Sequence, residues 1–201
     1  MLAALLLALP AQAKEYVPPA LQGVDIVEKL GQNVDMDLVF TDHTGAQRTL
    51  GDLLAGEVPV LLTLNYYRCK MLCSLQLNAL ITTVRGAKWQ PGDQYRIVTI
   101  SIDHRESWEL GRDKRDAYKK QLGMGDVDWT FAVGAEDQIA TLADSLGYEF
   151  EYDPIQDQYG HTAAIFFLTP QGKISRYLYG LTYIARDLRF AVLDASEGRV
   201  G

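Results

Sequence analysis

The spacing of hydrophobic positions changes several times along this chain, and each change marks an element. Asp35-Met-Asp-Leu-Val-Phe-Thr-Asp-His-Thr-Gly45 alternates polar and apolar up to a turn, as a strand with one covered face does. Thr49 to Leu54 predicts a short helical turn. The continuous run Val58-Pro-Val-Leu-Leu-Thr-Leu-Asn65 predicts a strand buried on both faces, and Tyr95-Arg-Ile-Val-Thr-Ile-Ser-Ile-Asp103 repeats that character. Between them, Leu75 to Val84 is helix-like. Ser107 to Gln121 is polar with apolar residues at helical spacing and opens on Ser107 as a cap. Trp129 to Val133 reads as a short strand and Glu136 to Leu146 as a helix. Thr162 to Tyr179 reads as a hairpin turning at Pro170 to Gly172, and Ile184 to Ala195 as a closing helix.

Strands alternating with helices and then a hairpin predict an α/β protein with a central mixed sheet, helices on both faces and a hairpin at the edge. That order is the order of a thioredoxin-like fold. Chemistry in such sheets sits beyond the C-terminal ends of the strands, where Cys69, Asp103 and the residues just before the Thr162 strand would meet.

Outside that frame, residues 1–13 form a short apolar run ending in Ala-Gln-Ala13, which reads as a secretory signal cleaved after Ala13. The run is far shorter than the ~20 apolar residues of a membrane span. Residues 14–32, with Pro18, Pro19 and Gly23, read as an extended arm, 33–195 as one domain and 196–201 as a tail. A net charge of −7 with no dense Lys/Arg cluster excludes nucleic acid as a partner. Export places the protein in the periplasm or on the outer face of the cytoplasmic membrane, where disulfides are permitted.

Cys69 and Cys73, the only cysteines among 201 residues, stand four apart where the first buried strand feeds a helix. Alone they admit four readings: a structural bridge, two buried thiols, a redox pair, or two ligands of a soft metal. A bridge here closes a very short loop and so removes little entropy from the unfolded chain, which leaves stability a poor reason for it. A helix N-terminus favours thiolate, the form that both redox and metal chemistry use. The third candidate is His161, in Asp157-Gln-Tyr-Gly-His161-Thr-Ala-Ala-Ile-Phe-Phe-Leu, at the same predicted edge. A single histidine before an apolar strand is more often structural; its convergence with two cysteines reverses that reading. Two thiolates and an imidazole suit Cu(I) and can take Cu(II), and three ligands are too few for a closed structural zinc site.

With Tyr66-Tyr-Arg-Cys-Lys-Met-Leu-Cys73, Val98-Thr-Ile-Ser-Ile-Asp103 and Tyr159-Gly-His161-Thr-Ala-Ala-Ile-Phe-Phe-Leu-Thr-Pro-Gln-Gly172 in this order, the chain resembles the Sco/SenC family of thioredoxin-like copper proteins over residues 33 to 190. The resemblance implies copper held by Cys69, Cys73 and His161. It also implies a part in assembling the dinuclear copper centre of cytochrome c oxidase, by donating copper or by reducing its cysteines. The implied partners are the copper-site subunit of the oxidase, other periplasmic copper chaperones and thiol reductants. Asp103 matches the family's acidic residue after the second strand, a group that supports the ligands from behind or docks a partner. Relatives tend to carry Pro where this chain has Lys70 and His104. Lys70 would lower a thiol pKa or point to solvent, His104 would add a ligand or lie solvated, and His43 reads as a surface residue. Some relatives of the Tyr-Tyr-Arg-Cys form continue into a further segment and a membrane anchor, which leaves truncation at residue 201 open and makes membrane association conditional on such a segment or on a retained signal.

The leading expectation is a non-enzymatic copper chaperone. Its rival is a thiol-disulfide oxidoreductase, for which His161 is unnecessary and the CxxxC spacing is one residue longer than the usual CxxC. A peroxiredoxin frame puts Tyr66 where the reactive cysteine should be, and is discounted.

Overall fold

Strand β3 shows how the core is divided. All six residues of Val60–Asn65 are buried, with Val60, Leu62 and Leu64 in one apolar cluster and Leu61 in another on the opposite face of the sheet. A strand covered on both faces must be apolar throughout, because side chains alternate across it. Each Leu so buried is worth about 1.5–3 kcal/mol.

The computed structural model describes residues 24–69 and 71–201. The proposed signal at 1–13, the arm as far as residue 23 and Lys70 lie outside the described residues. The order is β1 (Val39–Asp42), β2 (Gln47–Thr49), α1 (Leu50–Leu54), β3 (Val60–Asn65), α2 (Leu72–Ala87), β4 (Arg96–Ser101), α3 (Trp108–Leu122), β5 (Trp129–Gly134), α4 (Glu136–Ser145), β6 (Phe150–Asp153), β7 (Gln158–His161), β8 (Ala164–Leu168), β9 (Ile174–Tyr179) and α5 (Ala185–Ser196). Seven strands form one sheet in the order β2-β1-β5-β4-β3-β8-β9, and β6 pairs with β7 in a separate ribbon. β3, β4 and β5 are parallel; β1 and β8 run antiparallel to their neighbours. The sheet is mixed as expected, with the β8–β9 hairpin at one edge. Its turn is held by Thr169, whose hydroxyl accepts from the Gln171 and Lys173 amides at 3.3 and 3.2 Å.

Helices α2, α3 and α5 cover one face through Leu80, Leu122 and Leu188. Helices α1 and α4 cover the other through Leu54 and Leu142, and Cys69 and Cys73 belong to that second cluster. Residues 24–34 are bonded to this face: the Val27 amide donates to the Gly147 carbonyl at 2.8 Å and the Gly31 amide to the Ile174 carbonyl at 2.8 Å. Gly147 has φ 61°, and a Cβ there would meet the Val27 carbonyl oxygen at 1.8 Å, so only glycine permits this approach.

Two differences from the sequence reading bear on function. Helix α2 begins at Leu72, three residues earlier than its periodicity suggests, so Cys73 is helical and Cys69 is not. His161 does not open the hairpin strand; it ends β7, paired with Phe150, and the chain crosses to the main sheet over Thr162 and Ala163. Residues 158–161 are half polar and pair with an equally mixed partner, whereas the apolar run that can enter the core starts at Ala163.

Candidate metal and thiol site

The apolar strand β3 ends on Asn65 and delivers Tyr66 to Cys69 beyond the C-terminal edge of the sheet. Met71, the residue before α2, offers no side-chain cap. The Cys69 sulfur takes that place, accepting from the Cys73 backbone amide at 3.2 Å. A sulfur at an unsatisfied helical N–H is favoured as thiolate by both the hydrogen bond and the helix dipole. Cys73 sits one turn above it, and its sulfur lies 3.2 Å from His161 Nε2. The donor atoms of Cys69, Cys73 and His161 all lie within 4.8 Å of one another, and all three residues are buried. That span is close to twice a metal–thiolate bond of ~2.3 Å, so one ion can reach all three with small movements. No other such group of His, Cys, Asp and Glu occurs among the described residues.

The two thiols are unlike, and neither is in a disulfide. Cys69 is held well below the ordinary thiol value, chiefly by a hydrogen bond from the Cys73 side chain, which outweighs burial and is helped by His161 and by the backbone amides of Cys73 and Met71. Cys73 is pushed up, first by burial and then by the Cys69 sulfur beside it. The pair therefore shares one proton in the reduced state, with the charge on Cys69. Tyr66 adds to this layer: its ring meets His161 edge-on at 5.9 Å, and burial, then the Cys69 sulfur, raises its phenol.

His161 is fixed from behind. Its Nδ1 lies 2.8 Å from the Tyr148 hydroxyl and 3.2 Å from the Thr162 carbonyl, and that hydroxyl also reaches the Thr162 carbonyl at 3.1 Å. This leaves Nε2 facing the sulfurs.

Two further supports were not anticipated from the sequence. Buried Glu106 accepts from the Tyr67 and Arg68 amides, both at 2.6 Å, and from the Ser101 hydroxyl at 2.7 Å, so it pins the turn that precedes Cys69. Burial raises its carboxyl despite these donors. Gln76 accepts from Asn65 at 2.9 Å and donates to the Ala164 carbonyl at 2.7 Å, tying the cysteine helix to β3 and to the strand that follows His161. The readable signal was the polar Gln76 on the same helical stripe as Cys73, Leu77 and Leu80.

Asp103 lies outside the donor cluster. It is 2 % exposed, and Arg105 holds both its oxygens, at 2.7 and 2.8 Å. Burial pushes this carboxyl up, yet the Arg105 side chain and amide win and hold it below the usual carboxylate value. The same Arg105 donates to the Tyr152 hydroxyl at 3.0 Å and to Asp157 at 3.2 Å, while Tyr159 reaches Asp103 at 3.4 Å. Asp103 and Arg105 thus clamp the ribbon that ends in His161, and the buried carboxylate presents nothing to a docking partner. His104 is exposed and outside the cluster. His43, read as a surface residue, is half buried, with an unpartnered Nδ1, in a hollow it shares with Arg115 and Trp129. A cavity of about 630 Å³ between the N-terminal residues and α4 is lined by Val27, Tyr148 and Phe150 and by none of the three donors. The site is marked by donor chemistry rather than by concavity.

The same fold occurs in a protein of Aquifex aeolicus VF5 provisionally assigned to electron transfer, with 22 % identity, a TM-score of 0.73, and 85 % of this chain and 96 % of that one covered. It occurs in Bradyrhizobium japonicum ScoI with copper bound, with 21 % identity, a TM-score of 0.60, and 84 % and 98 % covered. BsSco, described as containing a disulfide switch and as a member of the Sco family of cytochrome c oxidase assembly proteins, has 18 % identity, a TM-score of 0.62, and 88 % and 98 % covered. No curated protein sequence matches the chain significantly. The SCO1/SenC family model, however, matches residues 27–188. This chain, with its paired cysteines and facing histidine on that frame, belongs to the SCO1/SenC family.

Proposed function

We propose that this protein is an exported copper chaperone: Cys69, Cys73 and His161 hold one copper ion and pass it by ligand exchange to the copper-site subunit of cytochrome c oxidase. The observation that carries this reading is the buried set of two sulfurs and one imidazole nitrogen within 4.8 Å. Soft thiolates with an imidazole select Cu(I), and the set can follow the ion to Cu(II). Copper bound to ScoI supports copper as the cargo, and the oxidase-assembly role stated for BsSco supports the oxidase as the recipient. The apolar N-terminal run supports export. No helix among the described residues is long and apolar enough to cross a membrane.

The unequal thiols favour one second reading, reduction of the recipient's cysteines. The Cys69 thiolate would attack a partner disulfide and form a mixed disulfide. Cys73, losing its proton, would then close the Cys69–Cys73 bridge and release the partner as a dithiol. Two electrons pass to the partner. Anaerobic Cu(I) titration of the reduced protein separates the readings. The wild type should take up about one ion, and His161→Ala should weaken uptake while leaving disulfide formation intact. Full copper affinity in a Cys69→Ser, Cys73→Ser double variant would refute the chaperone site. Unchanged binding with a shifted reduction potential in His161→Ala would favour the reductase.

A further inference from the structure

The fork behind His161 does more than hold a ring. Tyr148 Oη, His161 Nδ1 and the Thr162 carbonyl oxygen form a triangle with sides of 2.8, 3.1 and 3.2 Å. The carbonyl can only accept, whereas Nδ1 and the hydroxyl can each donate or accept. Tyr148 itself has no freedom to leave. It is buried, its ring meets Phe166 edge-on at 5.8 Å, and its amide is bonded to the Ala143 carbonyl at 2.8 Å just after the left-handed Gly147.

Two patterns satisfy this triangle. With the ring proton on Nε2, the imidazole donates to the Cys73 sulfur 3.2 Å away and Nδ1 accepts from the Tyr148 hydroxyl. With the ring proton on Nδ1, that N–H donates to Tyr148 Oη, the hydroxyl turns its own proton to the Thr162 carbonyl, and Nε2 presents a lone pair to the sulfur side. The first suits the reduced apo pair, in which a sulfur wants a donor. Only the second suits a metal ligand.

We infer that Tyr148 is the positioning residue of His161: its rotating hydroxyl holds the imidazole in one place while the ring proton moves from Nε2 to Nδ1 as metal enters. This rests on the copper reading above. The protons balance. Moving the ring proton from one nitrogen to the other leaves the charge of the imidazole unchanged, the proton shared by the two sulfurs leaves to solvent, and one proton is released per ion bound. Without the hydroxyl, Nδ1 faces only an acceptor, so the ring should be frozen as Nδ1–H whether or not metal is present.

The test is ¹⁵N NMR of the imidazole rings, which number three in the chain and are separable by variant. The reduced apo wild type should show His161 protonated on Nε2, and Cu(I) loading should move the proton to Nδ1. This comparison needs no variant. Apo Tyr148→Phe should show Nδ1–H already, and it should bind Cu(I) about tenfold more weakly because one longer contact to Thr162 then orients the ring. Tyr177→Phe also deletes a buried hydroxyl, but one bonded to the Leu146 carbonyl, and it should leave the His161 tautomer as in the wild type. A wild-type apo ring already on Nδ1, or a Tyr148→Phe ring that keeps the wild-type tautomer, overturns the inference. If the wild type takes up no Cu(I), the copper reading fails, while the apo comparison still decides the role of Tyr148.

Discussion

Glu106→Gln tests the support of the cysteine loop without changing its shape. The carboxylate accepts three hydrogen bonds: Oε2 from the Tyr67 amide at 2.6 Å and the Ser101 hydroxyl at 2.7 Å, and Oε1 from the Arg68 amide at 2.6 Å. A glutamine side chain has one oxygen, so its amide nitrogen must face an N–H that cannot accept. One charged bond, worth about 1.5–3 kcal/mol, is lost outright, and two others fall to neutral strength at a cost of about 1 kcal/mol each. Removing a buried charge returns part of this, as the raised Glu106 carboxyl indicates. The net expectation is a loss of roughly 2–3 kcal/mol at neutral pH, or about 5–10 °C in the unfolding midpoint. Urea unfolding of the reduced protein measures the total, and hydrogen exchange locates it, because the Tyr67 and Arg68 amides should lose protection beyond any global change. Destabilisation under about 1 kcal/mol, or unchanged protection at those two amides, would refute the assignment of Glu106 as the anchor of the loop.

Other expectations follow from the same geometry. Alkylation of the reduced protein should fall on Cys69, at a rate that stays high below the pH at which an ordinary thiol loses its thiolate; in Cys69→Ser the remaining Cys73 should be nearly inert at neutral pH, as mass spectrometry of the adducts would show. Arg105→Ala should speed hydrogen exchange across Phe150–Asp153 and Gln158–His161 more than elsewhere, and its stability cost is set by the buried Asp103 carboxylate that it leaves without its partner. Asp103 has a depressed folded pKa, so its contribution is present above the unfolded value of about 3.9 and lost as pH falls through the folded one; Asp103→Asn should flatten the acid limb of the stability curve there, and an unchanged limb would refute that link. Cu(I)-loaded protein should keep its free thiols under a mild oxidant longer than apo protein, and fully oxidised protein should not load; equal oxidation rates would show that the cysteines are not the copper site.

How legible this was in the sequence depended on whether a residue's role is carried by its type or by a distant partner. β3 and β4 were readable because burial on both faces forces an unbroken apolar run, and Cys69, Cys73 and His161 because so few side chains can do their chemistry. The β6–β7 ribbon was not. Phe150 and Tyr152 do alternate with Glu149, Glu151 and Asp153, but over four residues, ahead of a proline and with no side fully buried, so the period could not be told from a loop. That omission misplaced His161 onto the hairpin. Glu106 and Tyr148 were hidden, because they act through buried bonds to residues as far as 39 and 14 positions away and nothing local in a glutamate or tyrosine announces such a pairing; Gln76, bonded to Ala164 88 positions away, showed only as a polar residue on the stripe of Cys73, Leu77 and Leu80. The two sulfurs thus share the start of α2, while the imidazole comes from a separate ribbon. Cys69 rests on Glu106, Cys73 on the Gln76 bridge, and His161 on Tyr148 and the Asp103–Arg105 clamp. Conservative changes at these supports should therefore alter metal and thiol behaviour one donor at a time, with all three donor atoms still present.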